Sequence, residues 1–167
     1  MIIGENGAGK STLLKIILGL VFSDSGEVIR NDLMIGYVPE RIDPPPYVSV
    51  RKFVEIINDI KNGDKNDIDY YLEYWGLNDS NKKLSELSKG MLQKVIITQA
   101  FLGSPECLIF DEALNGLDKT MQKKLLHLIK KEKKKGKIII ITSHYQDYYK
   151  DVVDITLTIR NGKIWEN

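Results

Sequence analysis

Cysteine is almost absent from this sequence, and long apolar runs are absent altogether. Cys107 is the single cysteine among 167 residues, which excludes an internal disulfide, and its apolar neighbours predict a small buried hydrophobe rather than a reactive thiol. The densest apolar runs, 13–20 and 138–141, are far too short to span a bilayer, and no signal peptide precedes the glycine-rich segment near the N-terminus. The sequence therefore predicts a cytosolic chain that reaches a membrane only through a partner.

Charge of either sign is not in excess. Lys and Arg number 24, and Asp and Glu number 23. This balance argues against a protein whose main task is to capture nucleic acid or an acidic membrane surface, so we predict no nucleic-acid partner. With 43% apolar and 28% charged residues, the composition is typical of one folded globular domain.

Strand and helix patterns alternate along most of the chain, which favours an α/β fold with a mainly parallel sheet. Between Pro39 and Ser88 only helical patterns occur, which indicates an inserted helical subdomain. The segment 137–142 is too apolar for a half-exposed strand, so we expect it to be covered on both sides. Strands are predicted at 1–3, 27–30, 33–38, 108–111, 137–142, 155–160 and 163–165, and core helices at 10–20, 92–102 and 119–134.

The segment 4–11 reads Gly-Glu-Asn-Gly-Ala-Gly-Lys-Ser, which has the spacing of a phosphate-binding loop between a strand and a helix. Glycines allow backbone N–H groups to turn toward an anion, and the helix N-terminus adds partial positive charge. Lys10 is expected to reach the β- and γ-phosphates, and Ser11 to ligate magnesium. The predicted nucleotide-binding residues here are Asn6, Gly7, Ala8, Gly9, Lys10, Ser11 and Thr12.

Two acidic residues, Asp111 and Glu112, end the apolar strand 108–111. The carboxyl end of a buried parallel strand is where α/β sheets bind ligands. Asp111 is therefore a candidate magnesium ligand, and Glu112 a candidate general base for the water that attacks the γ-phosphate. Taken alone, a solvated strand end explains the two acids about equally well, but a phosphate-binding loop in the same sheet favours the catalytic interpretation.

The segment Leu87-Ser88-Lys89-Gly90-Met91, which precedes the two acids, resembles the signature loop of ABC ATPases. Ser88 begins a helix, so its hydroxyl and the nearby amides form another anion site. Further similarities follow in chain order: Glu40 at the position of the Q-loop, Asp118 in a D-loop-like segment, and His144 at the position of the switch histidine.

This resemblance implies a P-loop NTPase (RecA-like) fold, with an α/β core at 1–39 and 88–167 and a Q-loop with a helical subdomain at 40–87. It implies ATP and Mg²⁺ as cofactors. The site residues that it implies are Glu112 and His144 as catalytic, Ser11, Glu40 and Asp111 as metal ligands, and Glu40, Ser88, Gly90 and Asp118 as nucleotide contacts.

The same resemblance implies partners. In the family, the signature loop of one chain grips the ATP held by another, which requires a head-to-tail homodimer or heterodimer. The residues of these motifs resemble those of single-domain ATPases that pair with separate permease subunits in drug, peptide or sodium export. Such a chain would be cytoplasmic and peripheral at the inner face of the cell membrane.

Three features depart from the family pattern. Glu40 stands where glutamine is usual, and Lys89 and Met91 replace a glycine and a glutamine; Lys89 would either add a cation at the partner's phosphate or point into water. The antiparallel β subdomain that the family places before the phosphate loop is not found, as in an N-terminally truncated chain. That segment carries the aromatic residue that stacks on adenine, so we expect nucleotide binding to be weaker by roughly 5- to 150-fold.

Two other functions remain open from the sequence. A soluble ABC protein acting on ribosomes or DNA would carry a second such domain or a long coiled coil, and neither pattern is present. An inactive truncated fragment is the other alternative. The intact Lys10, Asp111, Glu112 and His144 argue against it, whereas the missing N-terminal segment argues for it.

Overall fold

A computed structural model describes residues 1–29, 31–41 and 43–166. In this part of the chain the strands form one sheet in the order β2-β3-β4-β1-β5-β6. The strands are β1 (Ile2–Gly4), β2 (Ile35–Val38), β3 (Cys107–Asp111), β4 (Ile138–Thr142), β5 (Leu157–Arg160) and β6 (Lys163–Glu166). All pairings are parallel except that of β5 with β6, as the alternating pattern predicted.

The helices lie where their apolar spacing predicts, with two additions. They are α1 (Lys10–Leu18), α2 (Val50–Ile60), α3 (Lys65–Trp75), α4 (Lys89–Phe101), α5 (Lys119–Lys134) and α6 (Gln146–Tyr149). Between β2 and α4 the chain forms α2, α3 and a 3-10 turn at Leu84–Glu86. The 3-10 turn and α6 are too short for a periodic pattern to reveal. None of the helices in the described residues is long and apolar enough to cross a membrane.

Strand β3 is buried on both faces of the sheet. Leu108 and Phe110 belong to the larger core, which includes residues of α2, α3, α4 and α5. Cys107 and Ile109 alternate with them and belong to a smaller core on the other face, where Leu14 of α1 packs. Because side chains alternate along a strand, two cores hold β3 at the centre of the sheet. The packing on both faces therefore fixes the carboxyl end of β3, where Asp111 and Glu112 lie.

Two expectations about strands are wrong. Strand β4 is not covered along its whole length, because Ile138 at its first position is 51% exposed. Strand β4 is fully buried only at its last two residues, Ile141 and Thr142, which lie next to the site. The predicted strand 27–30 is also not formed over residues 27–29, and Arg30 lies outside the described residues. Ile29 is 79% exposed, and an apolar residue alone does not make a strand without a partner to pair with.

Glycine and asparagine set the ends of two elements. Helix α1 stops at Leu18, two residues earlier than predicted, because Gly19 adopts φ 74° and its N–H caps the last carbonyls. The turn between β5 and β6 has φ 49° at Asn161 and φ 70° at Gly162. Positive φ at both central residues is the geometry of a two-residue hairpin, as the Asn-Gly pair predicted.

Candidate functional site

The glycine-rich loop connects β1 to α1 in a conformation that depends on its glycines. Gly7 has φ 80°, and Gly9, the N-cap of α1, has φ 99°. A side chain would find open space at both positions, so the backbone conformation, rather than crowding, requires glycine there. The loop is closed by the Ala8 N–H, which donates to the Glu5 carbonyl over 3.1 Å. These turns leave the N-terminus of α1 facing outward as an anion site.

Lys10 lies inside this loop rather than in solvent. Its side chain is buried, with 8% of the residue exposed, and its Nζ donates to the Gly4 carbonyl over 2.9 Å and to the Glu5 carbonyl over 3.1 Å. An ammonium group has three donors in a flexible geometry. The two carbonyls thus hold the positive charge against the inner wall of the loop, at the side from which a phosphate would be bound.

Asp111 is fixed by its neighbour in the sheet. The register pairs it with Thr142 of β4, and the Thr142 hydroxyl donates to Asp111 Oδ1 over 2.5 Å. Both residues are buried. A hydroxyl that donates to a carboxylate fixes its orientation. Asp111 is therefore held in one orientation at the carboxyl edge of the sheet.

Glu112 leaves the strand through a strained backbone turn. Its φ of 50° lies in the left-handed region, which costs a residue other than glycine about 1–3 kcal/mol. The turn is stabilised by the Glu112 N–H, which donates to the Thr142 carbonyl over 3.1 Å. Burial raises the pKa of the Glu112 carboxyl, while the His144 amide, the His144 ring and Lys10 oppose the rise. A raised pKa brings a carboxylate closer to the value at which a general base works best near neutral pH.

His144 reaches Glu112 from the loop after β4. Its backbone N–H donates to Glu112 Oε2 over 3.3 Å, and its Nε2 lies 3.3 Å from Glu112 Oε1, without the alignment of a hydrogen bond. The His144 side chain is half-exposed, at 49%, whereas that of Glu112 is 5% exposed. The imidazole therefore forms an outer wall of the site and the carboxylate its floor.

A cavity of about 340 Å³ joins these groups into one site. It is lined by Asn6, Gly7, Gly9, Lys10, Ser11, Thr12, Glu40, Glu112 and His144. The structure thus brings together most of the residues that the sequence analysis selected. Ala8 lines a neighbouring cavity of about 760 Å³, and Asp111 lies beneath the surface at the end of β3.

Glu40 follows β2 and enters the cavity from the side of the helical segment. Burial, together with the negative charges of Asp111 and Glu40, raises the pKa of Tyr37, in the same strand end, to about 12. The Gln99 amide of α4 donates to the Tyr37 carbonyl over 2.6 Å. The Q-loop-like segment is therefore tied to α4 on one side and faces the acidic floor of the site on the other.

Ser88, Gly90 and Asp118 do not line the cavity. Ser88 is the N-cap of α4, where its hydroxyl accepts from the Met91 N–H over 3.2 Å. Asp118 caps α5 in the same way, accepting from the Met121 N–H over 2.9 Å. A side chain at Gly90 would press on the Gly116 carbonyl, so the two loops lie against each other. Lys89 is exposed, and its alkyl chain lies beside Gly116.

Three residues of this region were missed by the sequence analysis. Thr142 orients Asp111, Gln93 donates from α4 to the Ala113 carbonyl over 3.1 Å, and Tyr149 of α6 is completely buried beside the His144 loop. Only Thr142 carried a usable signal, as the polar residue that ends an otherwise apolar strand. Gln93 and Tyr149 lie in helices, where nothing in the sequence indicates that these two polar side chains are buried.

The oxygens at the site fit a magnesium ion. Asp111 supplies an oriented carboxylate, Ser11 a hydroxyl at the start of α1, and Glu40 a second carboxylate that lines the cavity. In the described residues, no group of three or more His, Cys, Asp or Glu converges as a metal cage. Magnesium commonly binds through one or two carboxylates together with phosphate oxygens, rather than in an all-protein cage.

A parallel sheet with a phosphate-binding loop after one strand and paired acids after another defines a P-loop nucleotide-binding protein. The comparisons with known proteins narrow this class. The family model described as ABC transporter matches residues 1–115. The chain belongs to the ABC transporter family, as an ATP-binding domain.

Individual relatives agree with this assignment. The chain is 37% identical to the zinc import ATP-binding protein ZnuC of Rickettsia bellii (strain RML369-C), covering 86% of this chain and 63% of that relative. It is 34% identical to the lantibiotic transport ATP-binding protein SrtF of Streptococcus pyogenes, covering 98% of this chain and 75% of that relative. A solved ATP-binding subunit of an ABC transporter has a TM-score of 0.92 at 26% identity, covering 99% of this chain and 76% of that one.

Proposed function

We propose that this chain binds and hydrolyses ATP and thereby powers an ABC transporter. The observation that carries the proposal is the convergence of Lys10, Glu112 and His144 on one cavity at the carboxyl edge of the sheet. Phosphate release from ATP by the purified chain, measured with and without Mg²⁺, tests it. Absence of hydrolysis would favour the third possibility, an inactive domain that only binds a partner.

The roles follow from the positions of the groups. Backbone N–H groups of the loop and Lys10 hold the phosphates, and Ser11, Asp111 and Glu40 hold the magnesium ion, which neutralises phosphate charge when bound. Glu112 accepts a proton from the attacking water, whose oxygen bonds to the γ-phosphorus as the bond to the β–γ bridging oxygen breaks. His144 contacts the γ-phosphate from the outer wall. ADP and phosphate are the products.

A head-to-tail dimer is the second part of the proposal. Ser88 and Gly90 lie at the N-terminus of α4, which is an anion site by its dipole, yet neither lines the cavity of its own chain. Each would therefore serve the nucleotide of a second subunit, with Asp118 near the same junction. The second subunit is either another copy of this chain or a related one.

Mixing two inactive variants tests the dimer. Lys10→Ala disables the phosphate loop, and Ser88→Arg blocks the signature loop. In a head-to-tail dimer of one variant with the other, one of the two sites is intact, so an equal mixture should regain about a quarter of the wild-type ATPase rate if subunits mix freely. Each variant alone should be inactive, and a mixture that remains as inactive as its components would contradict the shared site.

Glu40 should weaken the binding of Mg²⁺-ATP. A carboxylate in place of the amide adds negative charge near the γ-phosphate and the Asp111 carboxylate, and like charges repel. We expect Glu40→Gln to bind ATP more tightly than the wild type or to shift the magnesium requirement. Parallel ATP and magnesium titrations of the two proteins measure this. Superimposable curves would show that the carboxylate is without effect.

The segment after β2 and the neighbouring helices form the proposed permease surface. A groove of about 400 Å³ runs between them, lined among others by Tyr37, Arg41, Phe53 and Lys61. Because Glu40 lies in the same segment, binding of a permease at the groove would shift the position of Glu40 relative to the phosphates of bound ATP. Co-purification with the membrane protein of a neighbouring gene, compared with co-sedimentation with ribosomes, separates a transporter subunit from a soluble ABC protein.

Export is the more specific form of the proposal. It is supported by the residues found in the motifs, which resemble those of export ATPases, and by the similarity to a lantibiotic transport protein. The similarity to zinc import proteins supports the opposite direction. Under either direction, the chain would be cytoplasmic and peripheral at the membrane through its permease. Transport into or out of inverted vesicles that hold the assembled complex distinguishes the two directions.

A further inference from the structure

Lys61 is a half-buried cation in the groove between the segment after β2 and the neighbouring helices. It is the C-cap residue of α2, and its Nζ donates to the Gln99 carbonyl of α4 over 2.7 Å. Both residues line the groove of about 400 Å³. An ammonium group carries three donors, and in the part of the chain that the structure describes this one has no partner besides the Gln99 carbonyl.

The stem of Lys61 is held in place by the turn that follows α4. Gly103 in that turn has φ 74°, and a Cβ at this position would clash with the Lys61 Cβ. The Lys61 N–H also donates to the Ile57 carbonyl over 3.1 Å at the end of α2. Because the backbone and the first side-chain carbon are already fixed, a partner of the ammonium group would lose little entropy in ordering it.

The positive charge of Lys61 is not compensated within the groove. Burial lowers the pKa of its ammonium group to about 8, and no carboxylate offsets this effect. The other charged residues that line the groove in the described ranges are Arg41 and Asp43, so two cations face one anion there. A carboxylate brought against Lys61 would use its free donors and stabilise its charged form.

The remaining lining of the groove is largely apolar. Tyr37, Pro44, Phe53 and Ile96 contribute to it. An apolar groove with a cation in its wall fits a short segment that presents apolar side chains and one acidic side chain. Amphipathic helices commonly bind grooves in this way.

We propose that Lys61 determines which permease this chain accepts, by pairing with an aspartate or glutamate of a cytoplasmic segment that fills the groove. The pairing rests on the proposed permease surface and names the chemistry of the partner at that surface. It gives Lys61 no part in ATP hydrolysis.

Lys61→Glu tests the pairing, because it places a negative charge opposite the partner's carboxylate. We expect its co-purification with the membrane protein of the neighbouring gene to fall at least about tenfold relative to the wild type. A cooperative melting transition shows that the variant is folded. Lys65→Glu reverses the same charge at the exposed first residue of α3, outside the groove, and should co-purify like the wild type.

A charge swap identifies the partner group. Each acidic residue on the cytoplasmic side of the membrane protein is replaced by lysine, one at a time. One of these substitutions should restore assembly with Lys61→Glu and weaken assembly with the wild type. If Lys61→Glu assembles as well as the wild type, or if no single substitution restores its assembly, the pairing is overturned. A changed oligomeric state of isolated Lys61→Glu would assign the groove to a second copy of this chain and would overturn it too.

The wild-type chain gives a second measurement, which decides the matter should Lys61→Glu fail to fold. Acetic anhydride modifies neutral amines, and mass spectrometry locates the acetyl groups. Lys61 should be acetylated in the isolated chain and protected in the complex with the membrane protein, whereas Lys65 should be acetylated in both. Equal labelling of Lys61 in the two states would contradict the pairing alone. Failure of the wild type to co-purify with the membrane protein would overturn the permease surface and the pairing with it.

Discussion

Glu112→Gln should slow ATP hydrolysis at least about a hundredfold while leaving ATP binding intact. Removal of a general base typically costs 10²–10⁴ in rate. Glutamine keeps the shape and one oxygen acceptor, so the contact with the His144 N–H can persist, but the amide cannot take a proton from water. Phosphate release under saturating ATP measures the rate, and titration calorimetry measures the affinity.

The unchanged ATP affinity of Glu112→Gln distinguishes the loss of a general base from damage to the binding site. In the proposed site the loop and Lys10 hold the phosphate, so removal of the negative charge of Glu112 should leave the Kd for ATP equal or lower. Glu73→Gln makes the same chemical change on the exposed side of α3 and should alter neither quantity. Near-wild-type turnover of Glu112→Gln would reject Glu112 as the base. Loss of both binding and turnover would indicate a collapsed loop instead.

The parts of the fold that the sequence predicted are those with strong local signals. Helix α5 begins and ends at the predicted residues because Asp118 caps it and its apolar residues repeat at helical spacing. The segment 27–30 shows the opposite case, since strand formation depends on a pairing partner elsewhere in the chain. Likewise, the cover over β4 depends on which helices pack there, and Ile138 is exposed although Ile141, in the same apolar run, is buried.

The candidate site divides in the same way. Lys10 was selected from the spacing of the phosphate-binding loop, and Asp111 and Glu112 because they end an apolar strand of a parallel sheet. His144 was selected from the resemblance to the switch histidine of the family. The strained φ of Glu112 and the hydrogen bond from Thr142 to Asp111 arise from the register of β3 with β4, which no local pattern encodes.

Lys10→Ala should abolish measurable hydrolysis and weaken ATP binding severely. Loss of one partner of a buried, hydrogen-bonded charge pair costs about 2–5 kcal/mol, which is roughly 30- to 4000-fold in Kd. Lys10 qualifies because it is 8% exposed and its ammonium is held inside the loop by the Gly4 and Glu5 carbonyls. Titration calorimetry with ATP and Mg²⁺ measures the effect.

The matched control for this change lies on the same helix. Lys15→Ala removes an identical charge from an exposed position one and a half turns further along α1, so its long-range contribution is screened at physiological salt. Its Kd should remain within about twofold of the wild type. A comparable loss in both variants would mean that phosphate affinity reflects overall charge rather than the loop. If only Lys10→Ala loses ATP affinity and its melting temperature is unchanged, phosphate binding is assigned to Lys10, whose ammonium group the loop backbone holds in place.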